Sequence, residues 1–240
     1  MNSDQEQQSS TDCAPLSGVL TLASFDPESL VDDLCIEMRA HGCHTAILYG
    51  SRAHGDATAS SDYDVAGFAD IPVPRRDARR WKGSFLDAFV YPDSRLDQPD
   101  EEFLKLRGGR VLFEHAGRAA RLLRGLETLF ARGPTRLAND DFNTRRTWAW
   151  KMLERIQKND VEGRYRRVWL LTVLMEDYFA LRGLWYLGPK CSFQWLALHD
   201  PDTGGAFDTA LQSDASPQQL CSLVERVVGS EGTPAVQPLT

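Results

Sequence analysis

No uninterrupted apolar run in this 240-residue chain approaches the ~20 residues a membrane-spanning helix needs. The opening MNSDQEQQSSTD has neither the basic nor the apolar stretch of a secretory leader. A cytoplasmic protein with no membrane partner is expected. Cysteine is sparse and scattered: Cys13, Cys35, Cys43, Cys191 and Cys221 are odd in number and include no C-x-x-C pair, so neither a disulfide framework nor a thiolate zinc site is suggested. The five histidines form no H-E-x-x-H. Cys43-His44 comes nearest to a reactive pair, but neighbours leading into an apolar run point to opposite faces of a strand. A P-loop is missing too, because Gly55 is followed by Asp56-Ala57 where a Lys and a Ser or Thr are required.

What is present is ordinary for a globular protein: 42% apolar and 25% charged residues, enough for a substantial core. The net charge of −7 argues against avid, indiscriminate nucleic-acid binding, yet it hides a polarity. Residues 105–190 hold 18 Lys and Arg against 9 acids, leaving 9 against 25 elsewhere. An acidic first half is followed by a basic middle.

Along the chain, polar tails are expected at 1–18 and 230–240. Asp26-Pro27-Glu28 opens an amphipathic helix that Gly42 stops. Short strands follow at 45–49, 62–68, 84–91 and 110–114, the last of them peripheral, with a helix predicted from Pro99 to Arg107. From about Gly117 strand signals vanish and helical patterns take over at 117–131, 138–158, 161–184, 192–199, 203–212 and 216–228. This gives an α/β core over 19–115 and an all-α helical bundle over 116–229, with a site in the cleft between them.

The chemistry concentrates in Tyr49-Gly50-Ser51-Arg52-Ala53-His54-Gly55 and Ser61-Asp62-Tyr63-Asp64. Gly50 allows close backbone approach at a strand end, Ser51 adds a hydroxyl, and a helical turn starting near Arg52 would aim its N-terminus at an anion. Asp62 and Asp64, at i and i+2, share one face of a strand, and such carboxylates repel unless a cation such as Mg²⁺ stands between them. Asp87 is a charge in mid-strand, costly without a partner. If its strand neighbours that of Asp64, three carboxylates can surround one or two metals.

The pattern of apolar strand, Gly-Ser, Asp-x-Asp and a later Asp on another strand resembles the nucleotidyltransferase superfamily that includes DNA polymerase β and the minimal and antibiotic-modifying nucleotidyltransferases. The resemblance covers about residues 30–115. It implies an α/β (α+β) core with a short mixed sheet. It also implies that Gly50, Ser51, Arg52 and Ser61 bind the triphosphate of an NTP such as ATP, and that Asp62, Asp64 and Asp87 hold two Mg²⁺ and act in catalysis. An NMP would pass to a hydroxyl of a small molecule or protein, releasing pyrophosphate. His54 stands where many small relatives have a second Arg, and gives a phosphate less charge.

Competing readings are a minimal-type enzyme that modifies a partner protein, an RNA-directed enzyme favoured by the basic middle, and a catalytically silent nucleotide-binding module. The cluster Arg75, Arg76, Arg79, Arg80 and Lys82 reads as a solvated loop or as a contact to a nucleotide or acceptor phosphate. On the long helix, counting places Glu176 on the apolar face with Trp169 and Val173, facing the cleft or paired with Arg182. Lys190 in the loop after that helix is either exposed or within reach of a phosphate.

Overall fold

The computed structural model describes residues 27–230 except 56, 59 and 159. The 1–18 tail, the last ten residues and the Asp26 cap lie outside the described residues. Pro27 opens α1 (Pro27–Ala40), which turns at Gly42 (φ +81°) into β1 (Cys43–Tyr49). A turn at Gly50 and the four-residue α2 (Ser51–His54) lead to β2 (Tyr63–Ala69). Then come β3 (Arg75–Trp81), β4 (Ser84–Pro92), two 3-10 turns (Asp93–Asp97 and Glu101–Leu106) and β5 (Arg110–Phe113).

The strands form one sheet in the order β3-β4-β2-β1-β5. β2 and β4 run parallel and the other pairs antiparallel, so the sheet is mixed, as expected. Its two faces follow from alternation. Ala46, Leu48, Tyr63, Val65, Leu86 and Ala88 pack with Leu34 and Met38 of α1. Ile47, Tyr49, Ala66, Phe68 and Tyr91 face the other way, under the 3-10 turns and α3 (Arg118–Arg132).

Two local expectations are corrected. The basic run 75–82 is an edge strand rather than a loop. RRDARRW has no apolar alternation to announce a strand, but charge suits a sheet edge, where it discourages pairing with other chains. Lys82 and Gly83, both at positive φ (48° and 85°), close the hairpin between the paired Trp81 and Ser84. The second concerns extent and type: the helix expected over 99–107 is a 3-10 helix over Glu101–Leu106, whose buried Phe103 and Leu106 recur at the three-residue period it favours.

The second half is helical as expected: after α3 come α4 (Asn139–Ile156), α5 (Val161–Leu181), α6 (Pro189–His199), α7 (Pro201–Leu211) and α8 (Pro217–Val228). Proline sits at the start of each of the last three, where its missing N–H costs nothing. Asp160, Asp200 and Ser216 cap α5, α7 and α8, accepting from Gly163, Thr203 and Gln219 amides. α3 buries Ala119, Leu122 and Leu126 in the same cluster as Phe68 and Phe103, whereas α4 to α8 share a separate core around Leu170, Leu174 and Phe207. Among the described residues no helix is long and apolar enough to cross a membrane.

Helical counting misplaced the inner face of α5. Leu170, Leu171, Leu174, Tyr178 and Phe179 are buried, while Glu176 is exposed and Trp169 nearly half exposed. The buried acid is Asp177, paired with Arg145 of α4. Arg182 instead donates to the Val227 and Arg226 carbonyls at the end of α8 and stacks on Tyr178.

Candidate active site

Three strands bring the acids together. β1 ends at Tyr49, opposite Asp64 of β2, and Asp64 is opposite Asp87 of β4. Residues in register share a face, so Tyr49, Asp64 and Asp87 form one row across the sheet. Asp62, two residues before Asp64, extends the same face beyond the strand end. The adjacency of the Asp64 and Asp87 strands, a condition posed from sequence, is met.

The turn after Tyr49 presses on this row. Gly50 has φ 71° and ψ −157°, a conformation that side chains resist, and a Cβ there would lie 2.5 Å from Asp64 Oδ2. Backbone and carboxylate are therefore in contact only because residue 50 is glycine. Gly50→Ala is expected to destabilise by ~1–3 kcal/mol from backbone strain and to displace the Asp64 carboxylate as well. Gly42→Ala, at φ +81° with open space around it, carries the strain alone. Thermal melts of the pair should show the larger loss at Gly50; equal losses would mean that the turn does not press on Asp64.

Asp64 is half-buried, and among the described residues no hydrogen-bond donor reaches its carboxylate. Its pKa is raised, first by burial and then by the charges of Asp87 and Asp62. Lys105, from the second 3-10 turn, works in the opposite direction. Its ammonium sits 4.4 Å from the Phe89 ring centre, 5.8 Å from those of Tyr49 and Tyr91, and 3.1 Å from the Tyr91 hydroxyl. Burial pulls the Lys105 pKa down, while Glu102, Asp87 and Asp64 hold it up. Burial likewise pushes up the Tyr49 hydroxyl, helped by Asp64. Lys105→Met keeps the aliphatic packing and removes the cation. Carboxylate NMR should then show Asp64 titrating at higher pH than in the wild type; an unchanged titration would detach Lys105 from the row.

Asp87 differs from Asp64. Arg76 of β3 donates to both its oxygens, Nε to Oδ1 at 2.7 Å and Nη2 to Oδ2 at 2.8 Å. The three aspartates are consequently not drawn into one tight cluster. Among the described residues the carboxylate and imidazole group whose ligand atoms all lie within 4.8 Å is Glu37, His41 and Asp77. Arg79 donates to both acids of that group, which identifies it as an ion-pair network tying α1 to β3.

Ser51 begins α2 beside Gly50. The Arg52 guanidinium, expected at the phosphates, donates to the Ser61 and Asp62 carbonyls at 2.5–3.2 Å and lies 3.9 Å over the Tyr63 ring, so it braces the 61–63 segment. The Ser61 hydroxyl accepts from the Thr58 amide at 2.9 Å. His54 packs on the Arg107-Gly108 turn, its Nε2 3.1 Å from the Arg107 carbonyl oxygen. Lys190 is exposed in the first turn of α6.

A divalent cation fits the donor set. Among the described residues the carboxylates of Asp62, just before β2, and Asp64, on it, have no hydrogen-bond or ion-pair partner; burial and then the neighbouring acids raise the Asp64 pKa; and the Gly50 backbone rests against Asp64 Oδ2 where a Cβ would clash. Sequence reasoning missed Lys105, and it named Arg76 only within a basic cluster, without its tie to Asp87. Both come from segments read as helix or loop, and only sheet register brings them to the aspartates.

No family model and no curated protein matches the chain. Among solved structures, a nucleotidyltransferase-like protein from Exiguobacterium sibiricum 255-15 is similar over 84% of this chain and 72% of its own, at 14% identity and a TM-score of 0.39.

Proposed function

We propose that the chain is a divalent-metal-dependent nucleotidyltransferase that passes an NMP from an NTP, with ATP the candidate donor, to an acceptor hydroxyl. One observation carries this reading: Asp64 and Asp87 stand in register on adjacent parallel strands while the Gly50 turn rests on Asp64. Polyphosphate and carboxylates would thus meet at the end of β1. Asp62 and Asp64 would hold Mg²⁺, with Asp87 completing the set. Bound there, Mg²⁺ supplies charge neutralisation on the leaving group and a lowered pKa at the acceptor hydroxyl.

The chain's own groups do the rest. Gly50, with no Cβ, would let the triphosphate approach the backbone closely beside the Ser51 hydroxyl. Asp87, on the β3 side of the row, would take the hydroxyl proton once Arg76 lets go. Lys105 lies behind the row and offsets part of its negative charge. The acceptor oxygen bonds to the α-phosphorus, the bond from that phosphorus to the bridging oxygen breaks, and pyrophosphate leaves with its electron pair.

The test is incubation with α-labelled ATP and pools of small molecules, proteins and RNA, with Mg²⁺ or with EDTA. Label should move to one pool with equimolar pyrophosphate, only with metal. Binding of a non-hydrolysable ATP analogue that ignores both Mg²⁺ and the Asp64→Asn substitution would overturn the reading.

A further inference from the structure

We infer that the acceptor is a small hydroxyl compound carrying a phosphate or carboxylate beside its hydroxyl, and that Arg76 receives this anion as it releases Asp87. The inference rests on the metal-dependent reading above and adds the acceptor's charge to it.

The strand β3 carries its cations on two faces. On the α1 side, Arg79 is paired with Asp77 and Glu37, Trp81 donates to Glu37 at 3.3 Å, and the following Lys82 is paired with Asp33. On the other side, Arg76 and Arg80 flank Ala78, which lies opposite Asp87 in register. Arg80 has no carboxylate partner among the described residues. Its guanidinium lies 4.6 Å over Phe85, a ring left 45% exposed beside the aspartates. Each face thus keeps one arginine with no carboxylate partner among the described residues, Arg75 on the α1 side and Arg80 on the face of the candidate site, where Arg76 is held by Asp87.

Arg76 occupies both oxygens of Asp87, so a divalent ion can use Asp87 only by loosening that pair. The freed guanidinium, 57% exposed, would then stand as a bare cation beside the divalent ion at Asp87. An anion arriving with the metal removes the repulsion, and so cation and anion binding must be coupled. Sheet order says which substrate brings it. β3 is three strands from β1, about 14 Å at ~4.8 Å per strand, so the triphosphate at Gly50 lies on one side of Asp87 and Arg76 on the other. The anion belongs to the acceptor.

The experiment measures Mn²⁺ binding to the full chain by electron paramagnetic resonance, with glycerol 3-phosphate or glycerol as the probe, corrected for chelation in protein-free buffer. In the wild type, glycerol 3-phosphate should tighten Mn²⁺ binding by about threefold to tenfold, a coupling of ordinary size, and glycerol should not. Arg76→Gln should bind Mn²⁺ more tightly without any anion and show no coupling. Arg75→Gln, on the opposite face, should behave as the wild type, and Arg76→Lys should keep part of the coupling; melting curves confirm that each variant is folded. Equal effects of the two probes, or coupling that survives in Arg76→Gln, overturn the inference. Coupling that disappears once a non-hydrolysable ATP analogue is bound assigns Arg76 to the nucleotide and overturns it too. Mn²⁺ binding that depends on Asp64 but shows no coupling leaves the metal reading standing and this one fallen; no such binding in any variant removes both.

Discussion

Asp64→Asn is expected to lower nucleotidyl transfer at least about a thousandfold, or ~4 kcal/mol in the barrier, while the protein melts at the same or a higher temperature. The two halves of this result have one cause. Asp64 is half-buried beside Asp87 and Asp62, with only the partly screened Lys105 in opposition, so the folded chain favours its neutral form. Its folded pKa lies above the unfolded value, so the carboxylate destabilises the fold at neutral pH. That penalty is fully present above the raised pKa and disappears as pH falls through it towards the ordinary carboxylate value. Asparagine removes the charge and the penalty together. The gap in melting temperature between variant and wild type should therefore be greatest near neutral pH without metal and close on acidification. Adding Mn²⁺ should raise the melting point of the wild type alone. A variant that loses activity because it unfolds, or one that remains active, would show that Asp64 is an ordinary strand residue.

Much of this arrangement was legible in the sequence because its signals were local. A five-residue apolar run, a Gly-Ser break and an Asp-x-Asp pair each lie within a few positions, and alternation alone puts Asp62 and Asp64 on one face. Helices α3 to α8 were legible for the same reason, through periodicity and the prolines at their starts. What stayed hidden depends on partners distant in sequence. β3 reads as a solvated basic run until β4 supplies the apolar half of the pairing, and only register sets Arg76 beside Asp87, eleven residues away. Lys105 reaches the aspartates through a 3-10 turn whose short period resembles that of an α-helix. Arg52 had the residue type expected at a phosphate, but the 61–62 carbonyls and the Tyr63 ring hold it. Residue type indicated what the positions can do; packing determined which of them face the same space.

The helical half offers the complementary result: Arg145→Ala should destabilise the fold by ~3 kcal/mol, lowering the melting temperature by roughly 6–12 °C for a chain of this size. Asp177 is fully buried on the inner face of α5, and Arg145 is its ion-pair partner from α4. Its other oxygen has no hydrogen-bond partner, so removing the guanidinium leaves a carboxylate with nothing to offset its lost hydration. Burial raises the Asp177 pKa and Arg145 opposes that rise, so the variant's Asp177 should titrate higher still. The sign follows: the loss is greatest well above that pKa and shrinks as acidification neutralises the carboxyl, which a buried site tolerates better. Urea melts at about pH 8 and about pH 5 should thus show the wild type and Arg145→Ala converging on the acid side. Asp177→Asn in the Arg145→Ala background should recover much of the stability by removing the stranded charge. Below their melting points both variants should bind Mn²⁺ as the wild type does, since neither side chain belongs to the sheet that holds the aspartates. Convergence at alkaline rather than acid pH, or a loss indifferent to pH, would mean that Arg145 contributes through packing of its aliphatic stem and not through its charge.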